Sequence, residues 1–196
     1  MIIVTTKEDK NTIDLCDNYG IQTIFTDRLY ENGDKFNKGK AINDGVKHIK
    51  YNDWVLITDA DMFLPFNFRE TLDKQTLNVD NIYGTHRYIC PTYHEWLNYR
   101  DTRTINMSWT LQGHRLAIGV GFFQLINCKS KIITSLDNKW YDENHGHAGR
   151  SDRMFLRKWP DENRKNLKIN TIHLGNDELG RNWKGRTTAN FISSPE

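Results

Sequence analysis

Residues 1–65 alternate short apolar runs with polar stretches that carry apolar positions at helical spacing. Ile2, Ile3 and Val4 make a β-branched run of strand type, and residues 11–19 read as a helix with Ile13 and Leu15 as its apolar positions, closed by Gly20. Residues 21–25 form the next strand. Residues 38–50 place Ile42, Val46 and Ile49 at i, i+4 and i+7, the period of an amphipathic helix, and residues 54–57 follow as a third strand. Strands alternating with helices in this order predict right-handed βαβ crossovers, hence an α/β fold with a mostly parallel central sheet covered on both faces. Ligands of such sheets bind beyond the carboxyl ends of the strands, a rim that would carry Thr5, Thr6, Asp27, Asp59 and Asp61.

Beyond Pro65 the periodicity weakens. It supports a helix over 68–75, strands over 82–86 and 120–126, a short helix from Asp152 with Phe155 and Trp159 at i and i+4, and a strand ending at Ile172. Between them, residues 88–115 interleave Tyr88, Tyr93, Trp96, Tyr99 and Trp109 with Arg87, His94, Arg100 and Arg103. Flat aromatic faces among cations suit stacking on a sugar or an unstacked base, although aromatic side chains also build cores. No internal repeat or linker interrupts the 196 residues, which fit one domain: 1–65 on the nucleotide side, 66–196 on the acceptor side with a basic tail.

Composition narrows the class. With 37% hydrophobic and 27% charged residues the chain has the make-up of a folded globular protein. No apolar run approaches the ~20 residues that cross a bilayer, and no basic leader precedes Ile2, so a cytoplasmic location is expected. Cys16, Cys90 and Cys128 are odd in number and far apart, which suggests neither a disulfide framework nor a zinc site. Residues 1–98 hold 11 basic and 15 acidic side chains while residues 99–196 hold 16 and 10, an asymmetry that can draw an anionic substrate to one side.

Asp59-Ala60-Asp61 sets two carboxylates directly after an apolar strand, where both can approach one hard divalent cation, Mg²⁺ or Mn²⁺. A cation there can bridge a nucleotide diphosphate and neutralise it as it leaves. A bare Asp-x-Asp also caps loops and helices. Residues 53–65, with Asn37-Lys38-Gly39-Lys40-Ala41-Ile42-Asn43 upstream, resemble the core of the glycosyltransferases of GT-A fold, especially their inverting branch. The resemblance returns at 119–127, 151–159 and 173–186, and implies a single GT-A-like, Rossmann-like domain that binds a nucleotide-diphosphate sugar, foremost a UDP-sugar.

The resemblance implies that Asp59 and Asp61 contact the metal and the donor, that Lys38 and Asn43 lie beside the donor, and that Asp27 hydrogen-bonds the nucleobase. Read alone, Lys38 is equally a solvated charge in a first helical turn, and Asp27 the start of a turn. His173 matches a late metal-ligating histidine of that family, a structural histidine being its other reading, and Arg181, Lys184 and Arg186 sit in a glycine-punctuated tail that either closes over the diphosphate or is a frayed basic terminus. Ser151-Asp152 stands where the inverting branch carries Glu-Asp, so Asp152 is expected as the base, while a helix N-cap is its other reading. Asp142, Glu143 and His145 are the alternative bases.

The expected activity is therefore metal-dependent sugar transfer, with inversion, to a hydroxyl acceptor on a glycan, a protein or, since the tail resembles phage-encoded transferases, a hydroxymethylated DNA base. Two other functions stay open. A nucleotidyltransferase would need a glycine-rich loop after the first strand, where this chain reads Thr5-Thr6-Lys7-Glu8-Asp9. A non-catalytic carbohydrate- or nucleic-acid-binding module would use the aromatic and basic stretch without a metal.

Overall fold

A computed structural model describes residues 1–34, 36–50, 53–112, 121–145 and 148–175. Strand β1 (Ile2–Thr5), helix α1 (Lys10–Asn18) and strand β2 (Gln22–Phe25) open the chain, and β1 pairs with β2 in parallel. Gly20 follows α1 at φ +62°, the left-handed conformation that ends a helix without strain in glycine. Helix α2 (Lys38–Val46) begins at Asn37, whose side chain accepts from the Lys40 amide, and packs on β1. Gly45 permits that approach, because a Cβ there would run into Val4.

Strands β3 (Trp54–Thr58), β4 (Met62–Phe63), β5 (Ile82–Cys90), β6 (Leu111–Gln112), β7 (Phe123–Asn127) and β8 (Arg164–Leu174) form the main sheet in the order β3-β7-β5-β8-β4, with β6 beside β5. Helices α3 (Phe68–Asp73), α4 (Tyr93–Thr102), α5 (Lys131–Thr134) and α6 (Ala148–Leu156) fill the connections. The α/β class holds, but the main sheet is mixed rather than mostly parallel. Among the described residues only β5 with β8 pairs in parallel within it, while β3/β7, β5/β7, β5/β6 and β4/β8 are antiparallel. The reason lies in β7, which inserts between β3 and β5 and runs against both, so that the two are parallel without being neighbours.

Alternation along the strands covers both faces of the sheet, as the apolar pattern predicts. Ile82 and Ile126 turn to one face, where Val46, Trp140, Tyr141, Phe155, Leu156 and Trp159 pack on them. Tyr83, Phe123 and Leu125 turn to the other, against Leu167, Ile169, Phe68 and Leu72. A third cluster gathers Cys90, Tyr99, Trp109 and Ile172 with Phe63 and Trp96. Of the two readings open for the aromatic residues of 88–115, Tyr99 and Trp109 take the core one, and Tyr93 is exposed. All three cysteines are free and buried. Among the described residues no helix is long and apolar enough to cross a membrane.

Helix α6 is fixed by its apolar side. Phe155, fully buried, stacks on Tyr141 with ring centroids 4.3 Å apart and meets Trp159 edge-on at 5.0 Å. Phe155→Ala should therefore cost about 3–5 kcal/mol of stability in urea unfolding. A loss below about 1 kcal/mol would mean that this helix is held by something other than its apolar face.

Candidate active site

The rim of the main sheet follows from strand direction. Because β7 runs antiparallel to β3, with Phe123 opposite Thr58, the turn leading into β7 lies at the carboxyl end of β3. The Phe122 carbonyl there accepts from the Asp59 amide at 3.3 Å and from the Thr58 hydroxyl at 2.8 Å. Likewise β4 runs against the end of β8, with Met62 opposite His173, and the Leu174 amide donates to the Asp61 carbonyl at 2.8 Å. Asp59, Asp61, Gly121 and His173 are thereby placed along one edge.

Lys38, in the first turn of α2, reaches this edge. Its ammonium donates to Asp59 Oδ1 at 2.5 Å, to the Gly121 carbonyl at 2.8 Å and to Asp152 Oδ2 at 3.1 Å. The Lys38 and Asp152 side chains are only 11% and 13% exposed, against 38% for Asp59. Burial pulls the Lys38 ammonium down, but Asp152 and Asp59 outweigh it and hold it above the ordinary lysine value. Burial pushes the Asp152 carboxyl above the ordinary carboxylate range; Lys38 opposes this and Asp59 adds to it. Asp152 Oδ1 is buried and has no hydrogen-bond partner among the described residues.

Asp152 lies inside α6, which starts at Ala148, so it is not the helix N-cap that its sequence context also allowed. Its carboxyl occupies the space a Cβ at Gly121 would take, and Gly121 has φ +23°. Both facts favour glycine there. Gln124 Nε2 donates to the Asp152 backbone carbonyl at 3.4 Å, and the buried Tyr141 hydroxyl donates to Gln124 Oε1. Burial, with Asp152 and Asp59 nearby, raises the Tyr141 phenol well above its usual value.

Asp61 and His173 make a second pair at the same edge, with His173 Nε2 3.2 Å from Asp61 Oδ2. Asp61 Oδ1 and His173 Nδ1 are buried and lack hydrogen-bond partners among the described residues. Asp59 and Asp61 therefore have different partners, and among the described residues no three His, Cys, Asp or Glu side chains converge as a ready-made metal site.

No family model, curated protein or solved structure matches the chain.

The other expected site residues are distributed less simply. Asn43 is 1% exposed, and its amide group is taken up by the segment after Trp140: it donates to the Tyr141 carbonyl and Glu143 Oε1 and accepts from the Tyr141 amide, each at 2.9 Å. It holds that segment rather than facing a ligand. Asp27 is exposed just after β2. Arg181, Lys184 and Arg186 lie outside the described residues.

Of the alternative bases, Glu143 is bound by Arg28 at 2.5 Å as well as by Asn43, and Asp142 Oδ2 is 3.4 Å from His145 Nε2. Arg28, which sequence reasoning passed over, also binds Asp44 at 2.9 Å, and Asp44 accepts from Thr26. No local pattern marks the Arg28 and Glu143 pair. Gly121 carried a faint signal as a glycine leading into a buried strand.

Burial raises the Glu143 and Asp44 carboxyls, but their hydrogen bonds and ion pairs win and hold both below the ordinary carboxylate range. Each group then stabilises the fold fully above its unfolded value of about 4, and that stability drains away as pH falls through the depressed folded value. Glu143→Gln should lower the melting temperature at pH 7 and flatten its fall between about pH 5 and pH 3. Parallel curves for variant and wild type would remove Glu143 from the acid response.

Proposed function

We propose that the chain is a GT-A-type glycosyltransferase that moves a sugar from a nucleotide diphosphate, foremost a UDP-sugar, to a hydroxyl acceptor with inversion. The observation that carries this reading is the meeting of Asp59 and Asp152, from opposite halves of the chain, at one buried ammonium on the sheet rim. Asp152 Oδ1, buried, has no hydrogen-bond partner among the described residues. It would take the proton of the acceptor hydroxyl as the acceptor oxygen bonds the anomeric carbon and the bond from that carbon to the diphosphate oxygen breaks. Burial, which raises this carboxyl above the ordinary range, makes it a stronger base than an ordinary carboxylate.

A divalent cation of the Mg²⁺ or Mn²⁺ kind is commonly held by one or two protein groups together with substrate phosphates. Asp61 Oδ2 and His173 Nε2, which face one another 3.2 Å apart, would hold it in place of their mutual contact, leaving Asp59 to face the donor. Bound there, the cation would neutralise charge on the leaving diphosphate. The acceptor is a hydroxyl on a glycan, a protein or a hydroxymethylated DNA base, to be sorted by mass spectrometry of acceptors incubated with enzyme and sugar nucleotides.

Titration calorimetry with UDP should show binding that is strong with Mn²⁺, weak with EDTA, and insensitive to Mn²⁺ in Asp61→Asn. Equal affinities in all three would contradict the metal role. Asp152→Asn should keep UDP binding and lose about 10²–10⁴ in kcat. Normal turnover in that variant would remove Asp152 as the base and point to a retaining reaction.

A further inference from the structure

An ammonium group has three N–H donors, and at Lys38 all three have protein acceptors: Asp59 Oδ1, the Gly121 carbonyl and Asp152 Oδ2. No donor remains for a phosphate oxygen unless one of these is released. We infer that Lys38 is a positioning residue, which clamps the donor-side carboxylate Asp59 to the base Asp152 and does not itself bind the donor's diphosphate. This rests on the proposed transfer reaction and deepens it.

The geometry gives the clamp a direction. Lys38 holds Oδ2 of Asp152 and leaves Oδ1 without a partner among the described residues, so one oxygen is anchored and the other is available to take a proton. The carboxyl lies against Gly121, whose missing side chain provides the space it fills. Four segments converge on the one nitrogen: the start of α2, the end of β3, the turn into β7 and the interior of α6. Because Asp59 and Asp152 share the cation, a donor that engages Asp59 changes how firmly Asp152 is held. Donor binding and readiness of the base are thereby coupled without direct contact between the two carboxylates.

The test compares wild type, Lys38→Met, Asp152→Asn and the double variant. Each is assayed for UDP binding with Mn²⁺ and for Mn²⁺-dependent hydrolysis of a UDP-sugar, in which water is the acceptor and UDP and free sugar are the products. A clamp acting through Asp152 predicts that each single change lowers kcat about 10²-fold or more, and that the double variant is no slower than the slower single one. The Kd for UDP in Lys38→Met should stay within about threefold of wild type. Multiplying losses in kcat together with a Kd raised about tenfold or more would assign Lys38 to the phosphates and overturn the inference.

Lys38→Arg keeps the charge and carries the same comparison should Lys38→Met not fold. Its planar fork does not reproduce three divergent donors, so it is expected to lose kcat as well. Urea unfolding of the same proteins reads the clamp without any donor: coupled, non-additive losses at positions 38 and 152 are expected, and additive ones would overturn it. A wild type that binds no UDP would end the functional reading while leaving this second measurement to judge the clamp.

Discussion

An ammonium taken out of water must be met by acceptors on every side, and at Lys38 those acceptors come from three other parts of the chain. Removing one partner would leave a charge buried and uncompensated, which is far more costly than losing a surface ion pair. The placement of α2 against the sheet, the turn into β7 and the seating of α6 are therefore tied to a single nitrogen. Each of these elements has its own apolar anchor: Val46 for α2, Phe123 for β7, and Phe155 with Trp159 beside α6. The apolar contacts bring the segments together, and the ion cluster fixes which polar atoms meet.

Sheet direction explains why the meeting occurs at this edge. A strand inserted antiparallel between two others brings its own beginning to their ends, so Gly121 and Phe122 come to lie beside Asp59. The same relation, repeated at β4 and β8, brings Asp61 to His173. A second polar layer supports the first: Asn37 donates to the Glu143 carbonyl, Asn43 grips Tyr141 and Glu143, and Arg28 joins Glu143 to Asp44. Gly39 keeps that layer close, since a Cβ there would strike the Asp142 carbonyl.

Much of this was readable in the residues, and the limits have physical causes. The helix over 38–50 and the strand over 54–57 were legible because their apolar period is strong and local, although α2 ends at Val46. Strand direction was not, because antiparallel insertion depends on which distant partner wins, and nothing in residues 120–126 announces it. Along the 9-residue β5 and the 10-residue α4, the aromatic residues that composition left open between a stacking surface and a core are largely a core, a choice that depends on distant packing partners. Asp59, Asp61 and Asp152 could be singled out one by one, but their division between a lysine and a histidine arises only when the ends of β3, β4 and β8 are brought to one rim.

The central claim is that this rim is one donor site, with the cation at Asp61 and His173 and the base presented by Lys38. Crystals grown with UDP and Mn²⁺ test it most directly through the anomalous signal of manganese. The account predicts one strong peak within coordination distance of Asp61 and His173, the diphosphate beside it, and Lys38 still bound to Asp152. Manganese and UDP bound elsewhere, or a diphosphate seated on the Lys38 ammonium with Asp152 released, would contradict it.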